Sequence, residues 1–478
     1  MNTITDNNRQ NKISFLQKVG YGAGNFTTGV SNQVLGTYLV FYCTAILGIP
    51  GKLVGLAVSI SIVWDAVTDP IMGYLSDITR SKTFGRRHLY LLIGGVGLSL
   101  SNYYLWNIKS QYSDYLKFTI IFVLILVIKT FSTIYITPYT ALGAELSDDY
   151  DERTSIQGMK TIFFLLGLAF VSVFGMYVLF RPSPQFPIGQ LNPHSYKLMG
   201  LFSSIIIGVF SLLCFFSTKK YIPILNSNVK MNPQGNFLSD IISSLKGIFL
   251  NRNFRNVAFS YMFINIASAL ITSTCLHVFT YTFSLHSQQI AIIIGVQFFV
   301  SIISQPVWAY LSRKMDKKPA MMSGIAICIF GVFLFLIMVL LKNHLSGNHL
   351  YFMPFALLAG FGTGGLFTLP LSMIADIIDS DELNTGTRAE GSYYGCLTLL
   401  YKLSQSITLL FIGYFLELVK FNPTLSQQSE NTVIGLGLFM TTCSLASFIA
   451  ALSSLMGYDL NSSKVKDIQK KISEKKKD

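Results

Sequence analysis

Asp65 and Asp69 stand four residues apart inside an apolar stretch that runs from Lys52 to Leu75 (KLVGLAVSISIVWDAVTDPIMGYL). Four residues is one helical turn, so both carboxylates leave the same face of one helix. A charge at the centre of a bilayer costs about 2.5 to 3.5 kcal/mol on insertion scales. Nothing inside the stretch offsets two of them, so a partner must lie on another helix. Pro70 has no N–H to donate, which leaves the carbonyl of Ala66 without its helical partner. Two carboxylates, that carbonyl and the Thr68 hydroxyl make a set of oxygen ligands for a hard monovalent cation, Na+ or H+. The plainer reading is a buried pair of acids satisfied by neighbouring side chains.

Other ionisable or polar groups recur at membrane depth. Lys402 lies in the middle of GCLTLLYKLSQSITLLFIGYF, too deep to reach either surface easily, and is the natural counter-charge when the cation site is empty. Lys129, with Thr133 one turn further along the same face, suits an anionic solute group; the alternative is a lasting pair with Asp65 or Asp69. His277 is either a solute contact or a hydrogen-bonded packing residue. Tyr21, Asn25, Thr28 and Asn32 recur at spacings of 4, 3 and 4, which predicts one wet helical face lining a cavity.

The elements that must position these groups follow from composition. Of 478 residues, 51% are hydrophobic and 12% charged, against about 25% charged in soluble domains. Apolar runs long enough for a ~30 Å hydrocarbon layer recur twelve times, near 18–47, 52–76, 88–107, 116–143, 156–180, 196–217, 256–284, 288–311, 320–341, 351–375, 391–419 and 433–457. The chain therefore reads as an all-α membrane protein of twelve helices. Its net charge of +13 points to membrane topology and not to nucleic acid. With both termini inside, 27 of the 36 Lys and Arg fall on inner segments and seven on outer loops (Lys52, Lys109, Lys117, Arg181, Lys197, Lys342 and Lys420). That asymmetry is the positive-inside rule. It places both termini in the cytoplasm and the chain in a cell membrane, such as a bacterial inner membrane.

The first twelve residues are polar and Asn-rich, without the pattern of a removable signal peptide, so the first span is the expected targeting signal. Six cysteines without paired spacing read as packing residues. The longest inner connection, 218–255, contains Pro223, Asn226, Asn228, Asn232, Pro233 and Gly235 and reads as a linker. The predicted organisation is an N-tail (1–17), a six-helix half (18–217), a linker (218–255), a second six-helix half (256–457) and a basic C-tail (458–478). Internal similarity supports two copies, for PIMGYLSD (Pro70 to Asp77) returns in the second half as PVWAYLSR (Pro306 to Arg313). Glu145 and Asp148 are matched by Asp376 and Asp379 at nearly the same separation. Parallel six-span repeats are the plan of secondary transporters that rock one half against the other about a midplane site. The first alignment pairs Asp65 with Ser301 and Asp69 with Gln305, so only one copy carries the acids.

Gly73, Asp77, Arg86 and Arg87 in the first copy, and Arg313 and Asp316 in the second, pair acid with base at matched inner loops. Together with Glu145, Asp148, Arg153, Asp376 and Arg388 they suggest cytoplasmic latches between helix ends. The run ELSDDYDE (Glu145 to Glu152) also admits a magnesium–diphosphate reading, that of a membrane-embedded metal-dependent transferase. Arg153 beside it and the second copy favour a latch.

The segments YGAGN, VWDAVTDPIMGYLSD, GRR, PYTALGAELSDDYDERT, GTRAEGSYYG and the lysine of LLYKL resemble the glycoside, pentoside and hexuronide cation symporters of the major facilitator superfamily, the melibiose-permease type, over almost the whole chain. The resemblance implies the major facilitator fold, cation-binding roles for Asp65 and Asp69, a span-four hydroxyl ligand in Thr133, the span-eleven lysine in Lys402 and a cavity-lining aromatic in Phe367. It departs where the family's galactoside carriers have aspartates: Gly29 and Ile136 stand there, and Lys160 replaces a span-five arginine. The expectation is a symporter, not an enzyme, without a cofactor, coupling Na+ or H+ to a glycoside, pentoside, hexuronide or other organic anion. Spans one, four, seven, ten and eleven would line the solute site. A lysolipid or other amphiphile is the alternative cargo, and a monomer among membrane lipids the expected state.

Overall fold

The computed structural model describes residues 13–79, 81, 83–109, 111–146, 150–223, 248–386, 390–422, 425 and 427–475. Among them the chain forms twelve long helices: α1 (Phe15–Gln33), α2 (Gly51–Ile78), α3 (His88–Leu105), α4 (Asp114–Glu145), α5 (Tyr150–Phe174), α6 (Pro193–Thr218), α7 (Arg252–His277), α8 (Ser287–Met315), α9 (Lys317–Leu340), α10 (Met353–Thr385), α11 (Glu390–Leu418) and α12 (Glu430–Leu455). A thirteenth, α13 (Ser462–Lys475), follows. The described residues contain no strand, as a lipid-embedded backbone requires when its polar groups must be satisfied within each segment. Ten helices are long and apolar enough to cross a membrane. The other two, α1 and α3, carry polar side chains that bond to neighbours: Thr27 Oγ1 donates to the Ile207 carbonyl, and Asn102 Nδ2 donates to Ser203 and Ser204 of α6.

Local sequence sets the ends. Ser113, Asn192, Asn251 and Ser429 accept from backbone N–H groups in the first turns of α4, α6, α7 and α12, as N-caps do. Gly386 ends α10 with φ of 74° and donates to the Glu382 carbonyl, a left-handed position that glycine takes without strain.

The helices form two compact units, one built from α1–α6 and the other from α7–α13. Within the first, α1 packs on α5 and α6, and α3 on α4 and α6; within the second, α7 packs on α11 and α12, and α9 on α10 and α12. The backbone repeats more faithfully than the side chains. A π-helical turn at Tyr42–Ile46 returns at Val278–Thr282, and Tyr42 is as far from Val278 in the chain as Pro70 is from Pro306. The left-handed Gly48 (φ 70°) is matched at that same separation by Ser284 (φ 52°). The N–H of Ile49 bonds to the Cys43 carbonyl as that of Leu285 does to Phe279. The repeat visible in one octapeptide thus extends to a whole helix–turn–helix corner.

Small residues let backbones approach where no hydrophobic force drives helices together in lipid. A Cβ on Gly29 of α1 would lie 2.3 Å from the Phe164 carbonyl of α5. No larger side chain fits there without moving α5 away.

Candidate functional site

Asp65 and Asp69 project from α2 toward α4. There Thr133 Oγ1 lies 2.8 Å from Asp65 Oδ1 and 2.9 Å from Asp69 Oδ1. A hydroxyl carries one hydrogen, so it can donate to only one carboxylate at a time, and the second contact is left as two oxygens without a shared proton. A cation, or a proton on one carboxyl, would resolve that mismatch. Trp64 Nε1 donates to Thr130 Oγ1 at 3.0 Å, which pins the register of α2 on α4 one residue before the acids.

Lys129, one turn before Thr133, brings Nζ to 3.8 Å from Asp65 Oδ2, with side chains 22% and 14% exposed. Of the two readings of Lys129, an anionic solute contact or a pair with Asp65 or Asp69, this geometry shows the pair with Asp65. The physical reason is the α2–α4 crossing, which sets the two side chains on facing surfaces, where a largely buried ammonium settles beside the carboxylate opposite it. A separation of 3.8 Å is longer than a charge-assisted hydrogen bond, so the pair is one of charge and not of a direct hydrogen bond. Thr68 differs too: its hydroxyl donates to the Asp65 carbonyl of its own helix at 3.3 Å, and the side-chain hydroxyl that joins the two acids is that of Thr133.

The second half shows the same crossing without the charge. Ser301, equivalent to Asp65, meets Thr363 of α10 at 3.4 Å, and Thr363 occupies in its half the place that Thr133 holds in the first. A Cβ on Gly360 would lie 2.5 Å from the Gln297 carbonyl, so α8 and α10 touch at the backbone. Among the described residues no group of three or more His, Cys, Asp or Glu could hold a metal ion.

The predicted wet face of α1 is also corrected. Tyr21 is fully buried, stacks on Tyr139 at 4.6 Å and donates to its carbonyl, while Tyr139 donates back to the Tyr21 carbonyl. Asn25 donates to the Lys160 carbonyl at 2.9 Å and Thr28 is buried, leaving Asn32 as the exposed member. Polar spacing on a membrane helix reads alike for water and for helix–helix bonds, and here Tyr21 and Asn25 make such bonds while the Thr28 hydroxyl is buried without one among the described residues. His277 is fully buried, edge-on to Phe421 at 5.4 Å, so it packs within its own half and faces no open cavity. Phe367 of α10 is 47% exposed, and Lys402 lies half-buried in the interior of α11.

The inner-end residues fall into two matched clusters. Glu145 Oε1 accepts from Arg86 at 2.9 Å and Arg87 at 2.7 Å, and Arg87 also reaches Ser76. Lys317 donates to Asp376 at 2.6 Å, and Arg86 and Lys317 stand as far apart in the chain as Glu145 and Asp376 do. Asp316 accepts from the Ser462 N–H of α13, Arg313 is exposed and Gly73 half-buried. Asp148 and Arg388 lie outside the described residues, and of Asp77 and Arg153 only the helical backbone is described.

The structure lends Lys160 more weight than its place in the sequence suggests. Counted with an inner loop, it sits ten residues into α5, its Nζ 3.2 Å from Thr140 Oγ1 and 5.5 Å from the Tyr139 ring centroid. Among the described residues it makes no ion pair with a carboxylate. The signal available in the sequence is a lysine inside an apolar helix, masked by the acidic run just before it.

A family model described as MFS/sugar transport protein matches residues 20–462. An uncharacterised symporter of Synechocystis sp. is 27% identical, covering 85% of this chain and 86% of its own length. A putative sulfoquinovose importer of Salmonella typhimurium is 24% identical over 98% of this chain and 94% of its own. Among solved structures, a D-xylose–proton symporter superposes with a TM-score of 0.66 at 13% identity, covering 93% of this chain and 99% of that one.

Proposed function

This chain belongs to the MFS/sugar transport protein family, and on that premise we propose that it couples a downhill cation to the uptake of an acidic sugar or similar small organic anion. It is a multi-pass membrane transporter with symporter relatives, not an enzyme. Its charge distribution supports a place in the cell membrane with both termini in the cytoplasm.

The observation that carries the reading is the single hydroxyl of Thr133 set between two carboxylates. Asp65, Asp69 and Lys129 together hold one net negative charge, which one Na+ or H+ cancels. Coordination by Asp65 Oδ1, Asp69 Oδ1 and Thr133 Oγ1 would replace water around Na+; protonation of one carboxyl would let it donate to the other oxygens. Lys402 of α11 is assigned the coupling role that the resemblance gives to the span-eleven lysine. Thr133→Val keeps the volume and removes the shared oxygen. It is expected to raise the half-saturating Na+ concentration about tenfold, the loss of one hydrogen bond to a charged group. An unchanged Na+ dependence in vesicle uptake would remove Thr133 from the site.

The solute class rests on Lys160. A cation in a membrane helix with no carboxylate paired to it is stabilised by an anion that arrives with the cargo. Gly29 points the same way, since the Phe164 carbonyl closes the position where galactoside carriers place an aspartate. The resemblance to a sulfoquinovose importer agrees in charge. The test is a thermal-shift screen of the purified protein against sulfonated sugars, uronides, neutral glycosides and lysolipids, each with and without Na+. Stabilisation by an anionic sugar that grows with Na+ is the expected result. Stabilisation by neutral glycosides or lysolipids alone would overturn the solute class.

A further inference from the structure

A cavity of about 360 Å³ lies at the end of the first half opposite to Arg86, Arg87 and Glu145. Tyr42 and Leu47 from the end of the first helical segment, Ile108, Lys109 and Gln111 from the α3–α4 turn, and Lys197 from the start of α6 line it. No acid is among the lining residues. The neighbouring Asp114 is taken up by Lys117 at 3.0 Å, whose Nζ also donates to the Leu47 carbonyl at 2.8 Å, so this wall is fixed and its local acid neutralised. Lys109 and Lys197 make no ion pair with a carboxylate among the described residues. The N-terminal end of α6 adds the positive end of a helix dipole to the same wall.

The floor is apolar and stiff, for Tyr42 packs on Trp106 at 4.9 Å and on Tyr196 at 5.1 Å. Tyr104 and Tyr115, 59% and 82% exposed, stand at the neighbouring helix ends, the level at which amphipathic rings meet lipid headgroups. A cationic rim of two lysines above an apolar floor matches a group with an anionic phosphate joined to a glycerol and the first carbons of acyl chains. The seven outer-loop cations are few, and two of them share this cavity.

We propose that the cavity binds the phosphate-bearing headgroup of an anionic membrane lipid in the leaflet facing it. Lys109 and Lys197 hold the phosphate, Gln111 bonds to the glycerol oxygens, and Leu47 and Ile108 receive the apolar continuation. The site is separate from the acids of α2 and from Lys160.

The experiment compares wild type with the Lys109→Gln/Lys197→Gln double variant in phosphatidylcholine nanodiscs, with phosphatidylglycerol or with soluble glycerol 3-phosphate added. Phosphatidylglycerol is expected to raise the wild-type Tm by about 2–4 °C. The double variant, with the wild-type Tm in phosphatidylcholine alone, is expected to lose that rise, and glycerol 3-phosphate to shift neither. An equal rise in the double variant, or none in wild type, overturns the site. A rise with glycerol 3-phosphate that the double variant loses keeps the phosphate chemistry and overturns the lipid as its source.

Discussion

Asp65→Asn is expected to abolish cation-stimulated accumulation of solute in membrane vesicles while leaving insertion and Tm close to wild type. Asparagine keeps the volume, and its Oδ1 still accepts from Thr133, so the α2–α4 crossing survives. What changes is charge. With Asp65, Asp69 and Lys129 the site holds −1 and a cation brings it to zero; without Asp65 the empty site is neutral and the loaded one +1. Leaving a charge uncompensated at a largely buried position costs about 3–5 kcal/mol, or roughly two to four orders of magnitude in cation affinity. Counterflow of solute, which needs no net cation movement, should persist in the variant. Undiminished concentrative uptake driven by an imposed Na+ or H+ gradient would contradict the assignment.

Lys160→Gln carries the second large effect. The side chain stays long and polar and still reaches Thr140, but its charge is gone. KM for an anionic sugar should rise about 10- to 100-fold, in line with loss of one partner of a partly buried charge pair, discounted because Lys160 is only half-buried. Lys160→Arg should retain most of the affinity, and the cation dependence should be unchanged in both variants. Equal KM values for wild type and Lys160→Gln would remove Lys160 from the solute site and leave the cation site standing.

The acids and the repeat of the two halves are legible in the sequence for physical reasons, whereas Thr133 beside the acids enters only through the family resemblance. Carboxylates in an apolar run are costly enough to stand out, and a duplicated backbone leaves matched prolines and matched acids at nearly one separation. Which cation meets which acid is not legible, because that depends on the crossing of α2 and α4, and spacing along one helix does not contain it. Spacing alone leaves Lys129 between the solute and a pair with Asp65 or Asp69, and the crossing brings it to 3.8 Å from Asp65. The polar face of α1 misleads for a related reason. Asn25 and Tyr21 have the same spacing whether they face water or the carbonyls of α5 and α4, and only the packing distinguishes the two. Lys160 falls inside the span expected at 156–180, but the acidic run just before it makes it read as one more inner-loop charge, whereas it stands ten residues into α5.

Asp65, Asp69, Lys129 and Lys160, two acids and two bases all held by the first half, have an electrical consequence. Their charges sum to zero when the carrier is empty. With one cation between the acids and one monovalent anion on Lys160, the sum is still zero. Moving a whole charge through the bilayer is worth about 2.3 kcal/mol per 100 mV, and with this balance neither the loaded nor the returning half-cycle carries such a charge in these groups. Uptake of a monoanion with one cation is then expected to ignore membrane voltage, so that a valinomycin-imposed potassium diffusion potential leaves its rate unchanged. A rate that climbs with interior-negative potential would mean that more than one cation travels with each anion. An electroneutral carrier of this kind draws only on the ion's concentration difference, and would keep working in a cell whose membrane is depolarised.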